Sequence, residues 1–178
     1  MMKYCSVVIA SSTPIPFNLQ VIISYLCSSF GAYGLASKLM VISSYISFDA
    51  VNLIQGMTNI TIPNHYFNDN KFTSFIVSNI TDVRYIEIGN NSLTKVRVFE
   101  LNGLSELESV VIGQDSFSSD GSYRIVNCPK LKSIRIGDNS FKNYRTFVMT
   151  NLPSLESIEF GNACFYSGSS FSLIGMID

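Results

Sequence analysis

The sequence predicts a repeat solenoid of about five coils, and three observations carry that expectation. From Ile86 onward the chain repeats every 24 residues, as IEIGNNSLTKVRVFELNGLSELES, VVIGQDSFSSDGSYRIVNCPKLKS, IRIGDNSFKNYRTFVMTNLPSLES and a shortened IEFGNACFYSGSSFSLIGMID. The same slots in each repeat stay apolar. Each repeat also carries two short stretches with the two-residue alternation of a half-buried strand. One such coil cannot bury its apolar face alone, so it must stack on its neighbours.

The first stretch defines the register. Val83, Leu107, Leu131 and Leu155 open it; Ile86, Val110, Ile134 and Ile158 follow, then Ile88, Ile112, Ile136 and Phe160, and Leu93, Phe117, Phe141 and Phe165 close it. None is charged, as inward positions require. A further column holds Asn91, Asp115, Asn139 and Ala163. An earlier copy reads Met57, Ile60, Ile62, His65 and Phe67, offset by 26 residues instead of 24. The chain thus divides into a solenoid over residues 57–178 and a different segment over residues 1–56.

The spacing L-x-x-L-x-L-x-x-N-x-L, as in Val83-Arg84-Tyr85-Ile86-Glu87-Ile88-Gly89-Asn90-Asn91-Ser92-Leu93, resembles the leucine-rich repeat family over about residues 57–178. The I-x-I-G-x-x-S-F variant is similar to bacterial and protist surface-protein repeats. The resemblance implies a right-handed coil whose x-L-x-L segments form a parallel sheet on a concave side. It also implies that His65, Asn91, Asp115 and Asn139 form an asparagine-type ladder, side chains satisfying backbone groups where each coil turns. Ala163 cannot take part, and His65 only in part.

The second stretch departs from the commonest family pattern, which has a helix there. Phe75-x-Val77, Phe99-x-Leu101, Tyr123-x-Ile125, Phe147-x-Met149 and Phe171-x-Leu173 alternate aromatic with aliphatic, predicting a short strand or extended segment on the convex side. Four residues after each aromatic stands Asn79, Gly103, Asn127, Asn151 or Gly175, residue types that tolerate a left-handed turn. Ile80, Leu104, Cys128, Leu152 and Met176 return the chain to the core.

Charge is balanced, with 12 basic and 13 acidic residues and a net charge of -1. No basic stripe occurs, which argues against a nucleic-acid partner. Arg84, Glu108, Lys132 and Glu156 alternate in sign along one column and would pair across neighbouring strands, each pair contributing a few tenths of a kcal/mol. That neutralisation by itself accounts for the alternation. A functional alternative makes Tyr85, Glu87, Val111, Arg135 and Glu159, on the outward strand positions, a mixed polar and apolar face for a protein ligand.

Residues 1–56 carry no Asp, Glu, Lys or Arg between Lys3 and Lys38. Three alternatives stand. Phe17 to Ala36 has the length of a membrane span, diluted by Asn18, Gln20, Ser24, Ser28, Ser29, Gly31 and Gly34. Met1-Met2-Lys3 followed by Val8-Ile9-Ala10 has the order of a short signal peptide. The commoner arrangement is an irregular or helical cap over the first coil, with Ala36, Leu39, Val41, Ser44 and Ile46 as a degenerate repeat. Ile15-Pro16-Phe17-Asn18-Leu19 and the apolar run after it also resemble an F-box helix, though one residue short and without the acidic residue after the proline. At the other end nothing caps the last coil, which predicts a truncated frame, a covering partner or self-association there.

Chemistry is scarce. The one histidine stands in the ladder column, and Cys5, Cys27, Cys128 and Cys164 lack metal-ligand spacing. Cys128 occupies a leucine slot and reads as core. No cofactor is implied. Sequons at Asn59, Asn79 and Asn90 follow from a repeat rich in Asn and Ser. The sequence therefore points to a non-enzymatic protein-binding or scaffold module. The alternatives are a membrane-anchored or secreted adhesion protein and an F-box-like ubiquitin ligase adaptor. An intracellular location is slightly favoured over the cell surface or secretion.

Overall fold

A computed structural model describes residues 58–70, 72–78 and 80–175, together with the backbone of four earlier strands. Those four are β1 (Ser6–Val8), β2 (Gln20–Ile22), β3 (Lys38–Ile42) and β4 (Tyr45–Asp49). The repeats then supply β5 (Asn59–Ile62), β6 (Ser74–Ser78), β7 (Tyr85–Ile88), β8 (Val98–Asn102) and β9 (Ser109–Ile112). They continue as β10 (Gly121–Val126), β11 (Ser133–Ile136), β12 (Tyr144–Thr150), β13 (Ser157–Phe160) and β14 (Ser170–Ile174). No helix occurs among the described residues.

The chain is a parallel β-solenoid of two sheets. One runs β1-β5-β7-β9-β11-β13; the other runs β14-β12-β10-β8-β6-β4-β3-β2. Each coil contributes one strand to each sheet. Equivalent residues of successive coils pair directly, as Ile86↔Val110, Val110↔Ile134 and Ile134↔Ile158 do in the first sheet. The 24-residue period is the physical cause, since a constant coil length is what keeps parallel register from one layer to the next.

Alternation decides which side chains enter the core. In β7, β9 and β11 the second and fourth residues are buried, and in β6 and β8 the aromatic and the aliphatic residue are. Aromatic rings then stack at the coil spacing. Phe99 and Tyr123 lie 5.0 Å apart, Tyr123 and Phe147 4.8 Å, and in a second column Phe117 and Phe141 4.5 Å. The two columns meet edge-on, with Tyr123 against Phe141 at 83° and Phe147 against Phe165 at 79°. Offset stacking within a column and edge-to-face contact between columns are both favoured by the ring quadrupole, by about 0.5–1.5 kcal/mol per pair beyond area burial.

Left-handed residues make the corners. Gly103, Asn127, Asn151 and Gly175 have φ of 68°, 56°, 57° and 63°, as their residue types predicted; Asn79 and Met176 lie outside the described residues. The corner after the first strand also needs a very close backbone approach. A Cβ on Gly113 would stand 2.6 Å from the backbone nitrogen of Asn90 in the coil below, so only glycine fits.

Two expectations are corrected. The segment 1–56 was expected to be irregular or helical, yet all its described residues are strands: β1 extends the first sheet parallel to β5, and β4 extends the second parallel to β6. Leu39 and Val41 are not a repeat strand of the first sheet, because β3 pairs antiparallel with β4 in the second; Ala36 and Ser44 lie outside the described residues. The second stretch of each repeat forms a strand, as its alternation predicts, so strands line both faces of the described coils.

Candidate protein-binding face

The outward positions of the first sheet assemble what the sequence singled out. Thr61, Glu87, Val111, Arg135 and Glu159 are direct neighbours across five strands. Tyr85, Ser109, Ser133 and Ser157 form the adjoining row. Tyr85 and Val111 are 38 % and 37 % exposed, the apolar surface of an otherwise polar face. Strand spacing places these side chains about 4.8 Å apart.

Hydrogen bonds fix the rim of that face. The Tyr85 hydroxyl donates to Glu108 Oε2 at 3.0 Å, and Arg84 Nη1 pairs with Glu108 Oε1 at 2.8 Å. Arg84 also approaches Glu106 at 3.6 Å, which Lys130 meets at 2.6 Å. The Arg84–Glu108 pairing expected from sign alternation is therefore present, and it is part of a network over three coils. Lys132 and Glu156, the other half of that column, are joined through backbone, Glu156 N–H to Lys132 carbonyl at 2.8 Å, with no side-chain bridge between them. Arg135 and Glu159 approach at 3.5 Å with both side chains largely exposed to water, where such a pair contributes little.

The ladder is formed by different residues from those expected. His65, Asn91, Asp115 and Asn139 have φ of 65°, 51°, 56° and 57°, so their place in the column is a backbone requirement, and Ala163 adopts φ 56° as well. The buried side-chain ladder runs one residue later, through the fully buried Ser92, Ser116 and Ser140. The Ser92 N–H donates to Ser116 Oγ at 3.1 Å and the Ser116 N–H to Ser140 Oγ at 3.0 Å. Each hydroxyl in turn donates to a carbonyl of the preceding corner, Ser116 to Gly89 at 2.9 Å and Ser140 to Gly113 at 2.6 Å. Cys164 replaces the serine in the last coil and reaches the Gly137 carbonyl at 3.1 Å. A second, exposed ladder runs one residue earlier, where Asn90 Oδ1 accepts the Gln114 N–H and Asp138 Oδ1 the Asn162 N–H. The sequence signal was the serine that stands immediately before Leu93, Phe117 and Phe141.

Of the sequons, Asn90 is engaged in that outer ladder and its Ser92 is buried; Asn59 stands in β5; Asn79 lies outside the described residues. Cys128 is core as expected, and burial pushes its thiol up to about 11. Burial likewise holds the Tyr123 and Tyr144 phenols well above their ordinary range. Among the described residues no three His, Cys, Asp or Glu side chains converge as a metal site, and no helix is long and apolar enough to cross a membrane. The membrane-span and signal-peptide segments lie outside the described residues apart from two short strands. One of these, β2, holds Gln20–Ile22 in extended form where the F-box resemblance called for helix.

The architecture defines the class: a repeat protein built as a parallel β-solenoid. No family model, curated protein or solved structure matches the chain.

Proposed function

We propose that the chain is a protein-binding or scaffold module without catalysis, of leucine-rich-repeat type, which engages its ligand through the outward face of the first sheet. The observation that carries this is the in-register row Glu87, Val111, Arg135 and Glu159 beside Tyr85. It is a rigid surface with an aromatic and an aliphatic contact flanked by both signs of charge, the composition of an interface centre with a polar rim. The leucine-rich-repeat assignment is supported by the apolar spacing and by parallel strands at the x-L-x-L segments. The strands of the second sheet and the serine ladder are departures from the commonest family pattern.

The test is site-specific photo-crosslinking in the cells that make the protein. A crosslinker in place of Val111 should yield one discrete adduct, and the same group in place of Arg124 on the opposite sheet should yield none. Combining Tyr85→Ala with Arg135→Glu should abolish the adduct while leaving the β-sheet circular dichroism unchanged. Equal crosslinking from both sheets, or none from Val111, would refute the assignment.

A further inference from the structure

The outer ladder uses one polar atom of Asn90 and leaves the other unused. Asn90 Oδ1 accepts the Gln114 N–H at 2.9 Å, and at the same slot two coils later Asp138 Oδ1 accepts the Asn162 N–H at 2.7 Å. A carboxylate serves that role as well as an amide, so the fold has no need of the Asn90 amide nitrogen. Asn90 Nδ2 makes no hydrogen bond to a described residue and is not buried. By contrast Asn68, Asn143 and Asn151 donate theirs to the Asn91 carbonyl, the Ser118 carbonyl and Asn127 Oδ1. Asn90 also opens Asn90-Asn91-Ser92, the acceptor order for an N-linked glycan. The buried ladder accounts for Ser92 but not for a free amide two residues before it. The sequon at Asn59 is unlike it: that residue stands in β5, with strands β1 and β7 on either side and its Oδ1 buried.

We propose that Asn90 is an N-glycosylation acceptor, modified before its coil closes. The co-reactant is an oligosaccharide carried on a lipid pyrophosphate. Nδ2 bonds to the anomeric carbon of the sugar, the bond from that carbon to the pyrophosphate oxygen breaks and its electron pair leaves with the lipid pyrophosphate. The amide proton passes to a base of the transferase, and nothing is oxidised or reduced. The glycan then occupies the nitrogen that the fold does not use, while Oδ1 keeps the Gln114 N–H, so the modified chain retains its ladder. Timing follows from Ser92, because the acceptor signal includes the hydroxyl as well as the amide. In the folded chain Ser92 is 0 % exposed; its hydroxyl donates to the Pro63 carbonyl at 2.7 Å and accepts the Tyr66 N–H at 3.2 Å. Both partners belong to the preceding coil, so the hydroxyl is accessible only until the two coils dock.

The experiment starts from the chain isolated from the cells that make it, treated with peptide N-glycosidase in water enriched in heavy oxygen and then with trypsin. Cleavage after Arg84 and Lys95 isolates the peptide 85–95 from the one that carries Asn59. Mass-spectrometric sequencing should find heavy-oxygen aspartate at residue 90 and unaltered asparagine at residues 59 and 91. For the timing, the folded chain made in bacteria and the free peptide 85–95 are each offered to oligosaccharyltransferase with lipid-linked oligosaccharide. The peptide should be glycosylated at least about 100-fold faster than residue 90 of the folded chain, where opening of a packed layer limits access. Unlabelled asparagine at residue 90 would overturn the acceptor assignment, and equal labelling of Asn59 would overturn the structural selection of Asn90. Glycosylation of the folded chain at the rate of the peptide would overturn the order of modification and folding.

Discussion

The Tyr144 hydroxyl donates a buried 2.7 Å hydrogen bond to the carbonyl of Val96, two coils earlier in the stack. The intervening coil makes this reach necessary. At the position that Val96 and Tyr144 share in their repeats it has Asp120, followed by Gly121, where an added Cβ would collide with the Arg97 carbonyl. A large side chain from the next layer fills the space that this thin corner leaves.

Two tyrosines of the core should respond oppositely to the same substitution. Tyr144→Phe removes the donor to a buried carbonyl and should destabilise by about 1–2 kcal/mol. The Tyr123 hydroxyl is fully buried with no hydrogen-bond partner, in a column otherwise made of phenylalanine. Tyr123→Phe should therefore be neutral or stabilise by about 1 kcal/mol, since it removes an unsatisfied polar group. Urea unfolding midpoints of the two variants decide the matter; shifts in the same direction would contradict the assigned partners.

The serine ladder and the left-handed column can be separated in the same way. Ser116→Ala leaves the Ser92 N–H and the Gly89 carbonyl without their buried partner, and should cost about 2–4 kcal/mol. Asn91→Gly keeps the left-handed corner open and should be near neutral, whereas Asn91→Val should cost about 1–2 kcal/mol through backbone strain. Thermal melts would show the ordering, and a larger loss for Asn91→Gly than for Ser116→Ala would return the ladder role to asparagine.

Neighbouring positions on one strand test the register. Ile136 is 1 % exposed and Arg135 points to water. Ile136→Asp should unfold the array, since a buried carboxylate costs several kcal/mol, while Arg135→Ala should change stability by no more than about 0.5 kcal/mol. Circular dichroism of both variants suffices.

Alkali should loosen the fold through its buried thiol and phenols. The Cys128 thiol titrates near 9.0 when unfolded and is pushed up to about 11 by burial. Its contribution is complete below pH 9.0 and declines as pH rises toward about 11, because only the unfolded state releases the proton in that window. The two buried phenols act in the same direction at higher pH. Stability measured by urea should fall by a few kcal/mol across this range, and Cys128→Ala should flatten the first part of that decline.

The repeat period by itself determined the solenoid, the inward columns from Val83 to Phe165, the strands in place of helices on the second side, and the outward row through Glu87 and Arg135. Each is a local alternation copied at constant length, and parallel stacking turns equal sequence position into spatial adjacency. Other features needed the third dimension. Which polar column is buried depends on how close one corner approaches the next, and a step of one residue separates a left-handed asparagine from a buried serine. The reach of Tyr144 to Val96 depends on the thin corner at Gly121. A sequence fixes the order of groups along a coil; only packing between coils decides which polar groups lose water and must find partners.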